Sequence, residues 1–528
     1  MENMFLKASM KHDTLTENGA VSNSTTGKIL IDQFGKAGNY RNRHVAEVFA
    51  DQSALWGENP EMALRFPFYL RLVTRKVKVN NSFITEKVQK GQGARDEAFK
   101  RLLWVAAYQK DSFYKNLWLL PMVGSWKDLW TLLFYDADLG LGILDKKIFF
   151  TLMAQGILCD EQKELIKKFM PRIKSESKCT TAWTKTTNKL AKEFAKFLGW
   201  SERDYNEFKT SGVAHDFQKL ICGKMFDKLN FSAIPGRALN LLVNSRFLKK
   251  HSLVEAYTEW ISKQPIAKYT GYVYELGKQV INSRRGCILQ PHVKMTLDKQ
   301  FQSLIETAKK DGNILGNVWC ALDTSGSMSW SGMNNGLTAL DICMSLGVYF
   351  ATLNEGAFHK HVIMFDNVSR VKELSGSFTD MLSQLPMNAM GGTNFQSVID
   401  EIIRIRRENP SIPLSDYPQT LLVVSDMQFN SVGSVETNYE AMKRKLYTVF
   451  PQEFVDSMKF IWWDCTSRKN DFPTTMDDGG TYIFSGFDGA IITLLLGGED
   501  KKETKVSPTM EEMVNMALSQ EILQHISL

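Results

Sequence analysis

The sequence predicts an α-helical repeat domain followed by a Rossmann-like α/β domain with a mostly parallel sheet. Three observations carry this reading. Residues 29–315 read as short amphipathic helices in series with few strand signals, the pattern of stacked helix pairs. Residues 316–507 alternate apolar runs of strand length with helical patterns, which builds a parallel sheet covered on both faces. The two parts also differ in charge. Residues 316–528 hold 15 Lys+Arg against 26 Asp+Glu, which leaves 49 against 32 in residues 1–315 out of totals of 64 and 58. The first part is net basic by 17 charges and the second net acidic by 11.

In chain order, residues 1–28 read as a flexible arm, because Ser22-Asn23-Ser24-Thr25-Thr26-Gly27 offers little apolar surface to bury. Residues 29–315 form the helical domain. Within it, 61–77 has apolar residues near helical spacing, and Pro67 predicts a kink or a short break. Residues 95–110 read as a cleaner amphipathic helix, and 111–120 as another that Pro121 stops. Ser125 caps a further helix, and 183–198, 217–229 and 238–249 continue the pattern. No fixed-period repeat is visible, so any repeat is structural. In 316–507, strands are predicted at 318–322, 362–365, 421–424 and 460–463, with weaker ones at 368–374 and 481–485. Helices are predicted at 337–352, 394–407 and 438–448, with a closing helix at 486–496. Residues 508–528 form one more helix, started by Pro508 and the acidic Glu511 and Glu512, that packs back on the body.

The first strand of the α/β part runs into Asp323-Thr324-Ser325-Gly326-Ser327. An apolar run ending in Asp-x-Ser-x-Ser puts three oxygen ligands on one tight loop, which suits a hard cation. Met390-Gly391-Gly392-Thr393-Asn394 is a Gly-rich loop with a Thr hydroxyl, and 421–426 is a second apolar run ending in Asp426. Ligands collect at the carboxyl ends of strands in open α/β sheets, so the three loops can meet at one edge. Alone, the first loop is more often a turn or a helix cap than a cation site.

At 528 residues, 44% hydrophobic and 23% charged, the chain has the composition of a globular protein of two or three domains. No apolar run of about 18 residues predicts a membrane span, and residues 1–26 lack the apolar stretch of a secretory signal. The seven cysteines are scattered and never spaced Cys-x-x-Cys. That argues against a zinc site or disulfide framework and for a reducing, cytoplasmic setting.

The basic half offers three groups. Lys167, Lys168, Arg172, Lys174 and Lys178 precede Lys185, Lys189, Lys192 and Lys196, which line one helix face between Trp183 and Trp200. Arg237, Arg246, Lys249, Lys250 and His251 follow the Pro235-Gly236 turn, and Arg284 and Arg285 precede Gly286. A cationic helix face with aromatic neighbours can follow a phosphate backbone and stack unpaired bases. The alternatives are a solvated lysine face with the tryptophans in the core, or a basic surface that meets acidic protein.

The three loops together resemble the metal-ion-dependent adhesion site of von Willebrand factor A (vWA) domains. The resemblance assigns Asp323, Ser325 and Ser327 to the first loop, Thr393 to the second and Asp426 to the third, around Mg²⁺, Mn²⁺ or Ca²⁺. A coordination position stays open there for a partner's acidic oxygen. A basic helical half joined to such a domain resembles the TROVE–vWA (Ro autoantigen-like) family of RNA-binding proteins. The loose echoes are Asp32-Gln33-Phe34-Gly35, residues 119–130 and Ile234-Pro235-Gly236-Arg237-Ala238. The chain is more similar to a less characterised Ro-like family of eukaryotes and viruses. The segments that carry this are Gly124-Ser125-Trp126-Lys127-Asp128-Leu129, Ile234-Pro235-Gly236-Arg237-Ala238, Val424-Ser425-Asp426-Met427-Gln428-Phe429 and Phe484-Ser485-Gly486-Phe487. The resemblance implies HEAT-like repeats closed into a ring that the vWA domain bridges. It also implies structured noncoding RNA on the outer basic face and single-stranded ends of misfolded RNA in the central hole.

No Gly-x-x-x-x-Gly-Lys-Ser/Thr loop, His-Glu-x-x-His pair or Gly-x-Ser-x-Gly elbow is present. His359 and His361 have no third ligand nearby in the sequence, and no general base lies near the three loops. The expected function is therefore non-enzymatic: a monomeric RNA-binding protein with a divalent-cation site that takes a ligand or partner. The competing expectation is a protein-interaction scaffold that acts through the cation site, with no RNA role.

Overall fold

The computed structural model describes residues 12–40, 42–79, 82–211, 216–284, 288–311, 316–329, 337–386, 388–433, 435–466, 471–487 and 508–528. Among these, ten strands occur: β1 (Thr14–Leu15), β2 (Val21–Ser22), β3 (Lys78–Val79), β4 (Ser82–Phe83), β5 (Val318–Asp323), β6 (His361–Phe365), β7 (Ser369–Glu373), β8 (Thr420–Ser425), β9 (Lys459–Asp464) and β10 (Thr481–Ser485). The rest is mostly helical. Contacts divide the chain into two compact units, residues 1–41 with 235–516 and residues 42–234 with 517–528. The chain passes from one unit to the other at 41/42, 234/235 and 516/517.

The first unit is built on a six-stranded sheet of order β10-β9-β8-β5-β6-β7. All neighbours are parallel except β6 and β7. β5, β8 and β10 are buried along their whole length, and β9 at all but Lys459. Burial on both faces calls for continuous apolar runs rather than alternation, which is why these strands were legible. The edge strand β7 carries Arg370, Lys372 and Glu373, charges that discourage further pairing.

Helices Ala339–Leu353, Gln396–Glu408 and Asn438–Leu446 connect the strands as the sequence predicts. Ala339–Leu353 is buried at every position but Thr352 and starts with a Thr338–Asp341 capping box. It lies between β5 and helix Val273–Arg284. A methyl at Gly347 would overlap Leu322, and one at Gly277 would overlap the Ser345 hydroxyl. Helix Pro291–Lys310 is pinned to the same unit. Phe301 stacks on Phe378 at 4.3 Å, Asp298 Oδ1 accepts from Thr379 N at 2.9 Å, and Lys294 pairs with Asp380 at 2.6 Å.

The described part of the expected arm, residues 12–28, belongs to this unit. β1 and β2 pair as a short hairpin, and Asn23 exchanges backbone hydrogen bonds with Phe472 at 3.1 and 2.8 Å. Helix Ile29–Ala37 packs on β10, with Gly35 against Ile483. Lys36 Nζ reaches Asp464 Oδ2 at 2.7 Å, with Lys36 only 2% exposed and Asp464 1%.

In the second unit, helix Pro60–Arg71 continues past Pro67, where a kink or a short break is predicted. Proline cannot donate to the carbonyl four residues back. Here the Ala63 carbonyl instead accepts from the buried Gln52 Nε2 at 2.8 Å. Pro121 does not end a helix either. It stands in the first turn of Leu120–Val123, where its missing N–H costs nothing. Residues 217–229 split into Asp216–Cys222 and Phe226–Lys228, with Lys224 at φ 56° between them. In the first unit, 238–249 likewise splits into Gly236–Asn244 and Phe247–Lys250. The predicted last helix is Met510–Leu518, followed by a 3-10 turn Glu521–His525. Residues 517–528 lie in the second unit, where Ser527 N donates to Asn116 Oδ1 at 3.1 Å. The predicted closing helix falls outside the described residues except for Gly486 and Phe487. Among the described residues no helix is long and apolar enough to cross a membrane.

Candidate functional site

At the carboxyl edge of the sheet, parallel pairing sets Leu322 beside Val424. The next residues, Asp323 and Ser425, are therefore neighbours, and Asp426 follows. Ser425 Oγ donates to Asp323 Oδ2 at 2.5 Å, and Ser325 N donates to Asp323 Oδ1 at 2.8 Å. The chain then enters a 3-10 turn, Gly326–Ser329, and the Ser325 and Ser327 hydroxyls lie 3.1 Å apart. Asp323 and Ser325 are fully buried, and Thr393 and Asp426 are 1% and 2% exposed.

The Thr393 loop is joined to both other loops by backbone hydrogen bonds. Gly326 N donates to Gly391 O at 3.0 Å, and Met390 N to Thr324 O at 3.0 Å. On the other side, Asn430 N donates to Thr393 O at 2.9 Å and Asn430 Oδ1 accepts from Thr393 N at 3.1 Å. The glycine pair is required. Gly391 has φ 80°, and a Cβ on Gly392 would sit 2.8 Å from Asn367 Oδ1 and 2.9 Å from Asn430 Nδ2. After Asp426, the buried Met427 takes φ 63°, a conformation that costs a non-glycine residue about 1–2 kcal/mol. Asp426 Oδ1 accepts from Gln428 N at 3.2 Å across that bend.

Burial, and then the charge of Asp426, push the Asp323 carboxyl up to about 7. Two carboxylates out of water near each other disfavour a second negative charge. A bound cation reverses that balance. Asp464 stands on the next strand but has its own counter-charge in Lys36. Asp323 forms no ion pair among the described residues; its partners are a hydroxyl and a backbone amide. Among the described residues no three His, Cys, Asp or Glu side chains cluster to hold a metal. The set here is two carboxylates with three hydroxyls, a hard oxygen donor set that fits Mg²⁺, Mn²⁺ or Ca²⁺. His359 and His361 are engaged elsewhere: their Nδ1 atoms lie 2.7 and 2.9 Å from the Asn354 and His359 carbonyls.

The sequence analysis missed Ser425 as a partner of Asp323, although it stands in the quoted run. It also missed Asn18, whose Nδ2 lies 3.3 Å from Thr393 Oγ1 and donates to Gln428 O at 2.6 Å. No local signal marks a residue 375 positions away.

The basic residues divide by environment. On helix Ala182–Phe197, Lys185, Lys189 and Lys196 are exposed, while Lys192 is half-buried and 3.3 Å from Glu202. Lys168, Arg172, Lys174 and Lys178 are exposed. Lys167 is not part of that surface. It is 7% exposed, pairs with Glu164 at 2.8 Å and lies over the Phe208 ring at 4.8 Å. Trp183 packs against Phe134 at 5.0 Å and Trp200 against Phe208 at 4.9 Å. Arg246, Lys249 and Lys250 are exposed in the first unit. Arg237 is exposed but is held by Glu275 and lies 5.7 Å over the Tyr272 ring. Arg284 ends helix Val273–Arg284, its side chain not described; Arg285 lies outside the described residues.

The family described as "Domain of unknown function (DUF7788)" matches residues 318–525. The chain is also similar to "Uncharacterized protein L728" of Acanthamoeba polyphaga mimivirus. The two are 22% identical over 537 aligned residues, covering 93% of this chain and 86% of the viral protein.

Proposed function

We propose that this chain is a non-enzymatic, Ro-like RNA-binding protein with a vWA-type divalent-cation site. On this reading the helices of the basic part, residues 29–315, supply HEAT-like repeats that bind structured or misfolded noncoding RNA. Asp323, Ser325, Ser327, Thr393 and Asp426 bind Mg²⁺, or Mn²⁺ or Ca²⁺, and leave a position for an acidic oxygen of a ligand or partner. The observation that carries the RNA part is the row of exposed Lys185, Lys189 and Lys196 on one helix face. Residues 42–234 around it hold 31 Lys+Arg against 22 Asp+Glu. Supporting the cation part are the buried Asp323, Ser325, Thr393 and Asp426, on loops joined by backbone hydrogen bonds, with the charge of Asp426 acting on the Asp323 carboxyl. The six described cysteines are all free thiols, which suits the cytoplasmic setting we propose.

The test is binding of a fluorescent hairpin RNA and of a single-stranded RNA, followed by anisotropy across a salt series. The wild type should bind, with affinity falling steeply as salt rises. Absence of binding to either RNA at low salt sinks the RNA reading. A second reading, a scaffold that acts through the cation site alone, is favoured by the net acidity of residues 316–528, which carry that site. It would leave cation binding intact while RNA binding is absent.

A further inference from the structure

Residues 12–24 cross the first unit at one corner, beside the proposed cation site. The turn Thr16–Gly19 is closed by its own hydrogen bonds. Gly19 N donates to Thr16 O at 3.0 Å, Ala20 N donates to Thr16 Oγ1 at 3.0 Å, and Gly19 has φ 78°. It is fastened to the segment after Asp426 by a series of contacts. Thr16 Oγ1 donates to Phe429 O at 2.7 Å, Glu17 N to Gln428 Oε1 at 2.7 Å, and Asn18 Nδ2 to Gln428 O at 2.6 Å. Gly19 bridges to Asn430, the residue whose backbone and side chain hold Thr393. Further along, His12 lies 3.1 Å from Glu440, and Val21 bridges to Thr437. The same Asn18 amide lies 3.3 Å from Thr393 Oγ1. A divalent cation held by Thr393 would sit about 2.0–2.6 Å from that oxygen. The Asn18 amide then lies in the shell just outside the ion.

We propose that the Thr16–Gly19 turn is a fourth element of the cation site: a strap that closes its Thr393 side, with Asn18 as the positioning residue that holds it there. This rests on the cation reading above. An acidic ligand approaching from that side meets the turn before it meets the ion. The ligand therefore has to displace Asn18 or unlatch Thr16. Six residues of loop-to-loop bonding, rather than one contact, set how readily that happens, so the strap tunes access without supplying a coordinating atom of its own.

The experiment uses the full chain loaded with Mn²⁺ as the probe. Electron paramagnetic resonance counts bound ions, and water-proton relaxation reports how freely water exchanges on each. Compared are the wild type, Asn18→Ala, Thr16→Val, which loosens the turn without touching Thr393, and Asp323→Ala. The expected result is unchanged Mn²⁺ stoichiometry in Asn18→Ala and Thr16→Val, with relaxation per bound ion raised about twofold or more. Unchanged relaxation in both variants overturns the strap. Loss of Mn²⁺ from Asn18→Ala, with the wild type still loaded, also overturns it, since Asn18 would then be needed to build the site rather than to cover it. Failure of the wild type to bind Mn²⁺, or equal binding by Asp323→Ala, overturns the cation reading itself and the strap with it. Amide hydrogen exchange of residues 12–24 confirms in each variant that the change is local.

Discussion

Ser425 Oγ donates a 2.5 Å hydrogen bond to Asp323 Oδ2, tying the carboxyl ends of β8 and β5 beneath the proposed cation site. A serine hydroxyl offers one proton and no charge. The bond orients the carboxylate but does not neutralise it, and Asp426 remains close enough to oppose its ionisation. A proton on the pair, or a cation bound at the proposed site, would relieve that opposition.

This gives a signed dependence on pH. The folded-state value for Asp323 is raised above its ordinary value, first by burial and then by Asp426. A carboxyl whose folded value is raised favours the folded state at low pH, and that contribution is lost as pH rises from about 4 towards 7. In chelator, the stability difference between the wild type and Asp323→Asn should shift with pH across that range. The slope is at most about 1.4 kcal/mol per pH unit, against the wild type as pH rises. Millimolar Mg²⁺ should restore the wild type and leave Asp323→Asn unmoved. Urea titrations at pH 5 and 7.5, with and without Mg²⁺, read both effects. A difference that is flat with pH contradicts the assignment.

Lys36 and Asp464 form a buried ion pair that fastens helix Ile29–Ala37 to the sheet. Removing one partner strands the other charge in the interior, which costs about 3–5 kcal/mol, whereas replacing both by apolar residues is often neutral. Lys36→Met should therefore lower unfolding free energy by that amount, and Lys36→Met/Asp464→Leu should recover most of it. Chemical denaturation of the three proteins checks this.

Gln52 occupies the carbonyl that Pro67 cannot reach, and its Oε1 also accepts from Arg101 Nη1 at 3.2 Å. Gln52→Leu keeps the approximate volume but leaves buried polar groups without that partner, at a cost of about 1–3 kcal/mol. Adding Pro67→Ala should return part of the loss, because the helix then supplies the missing N–H. Thermal melts of the single and double variants decide whether Gln52 is what lets the helix pass the proline.

Charge reversal separates the exposed lysines from the buried one. Lys185→Glu/Lys189→Glu/Lys196→Glu should weaken RNA binding and flatten its salt dependence by about 0.7 per lost contact for a single strand. The folded state should be little affected, because these side chains are exposed. Lys167→Glu should instead destabilise the protein, since it sets two acids together in place of the Lys167–Glu164 pair. Anisotropy paired with thermal melts distinguishes the two classes. An unchanged salt slope in the triple variant rejects the helix-face assignment.

The sequence by itself determined the strands from Val318 to Ser485 and the helices Ala339–Leu353, Gln396–Glu408 and Asn438–Leu446, and it singled out Asp323, Thr393 and Asp426 as candidates. Those follow from local rules: a strand buried on both faces needs an unbroken apolar run, and a tight turn after it needs small hydroxyl and glycine residues. The tertiary structure alone decided that residues 12–40 join the α/β unit, that helix Pro60–Arg71 passes Pro67 unbroken and that Lys167 faces inward. Each of these depends on a partner distant in sequence or on the packing around one side chain: Asp464 for Lys36, Gln52 for Ala63, Phe208 for Lys167 and Thr393 for Asn18. Periodicity records which face of an element is apolar. It does not record which distant group will satisfy a particular carbonyl, charge or amide.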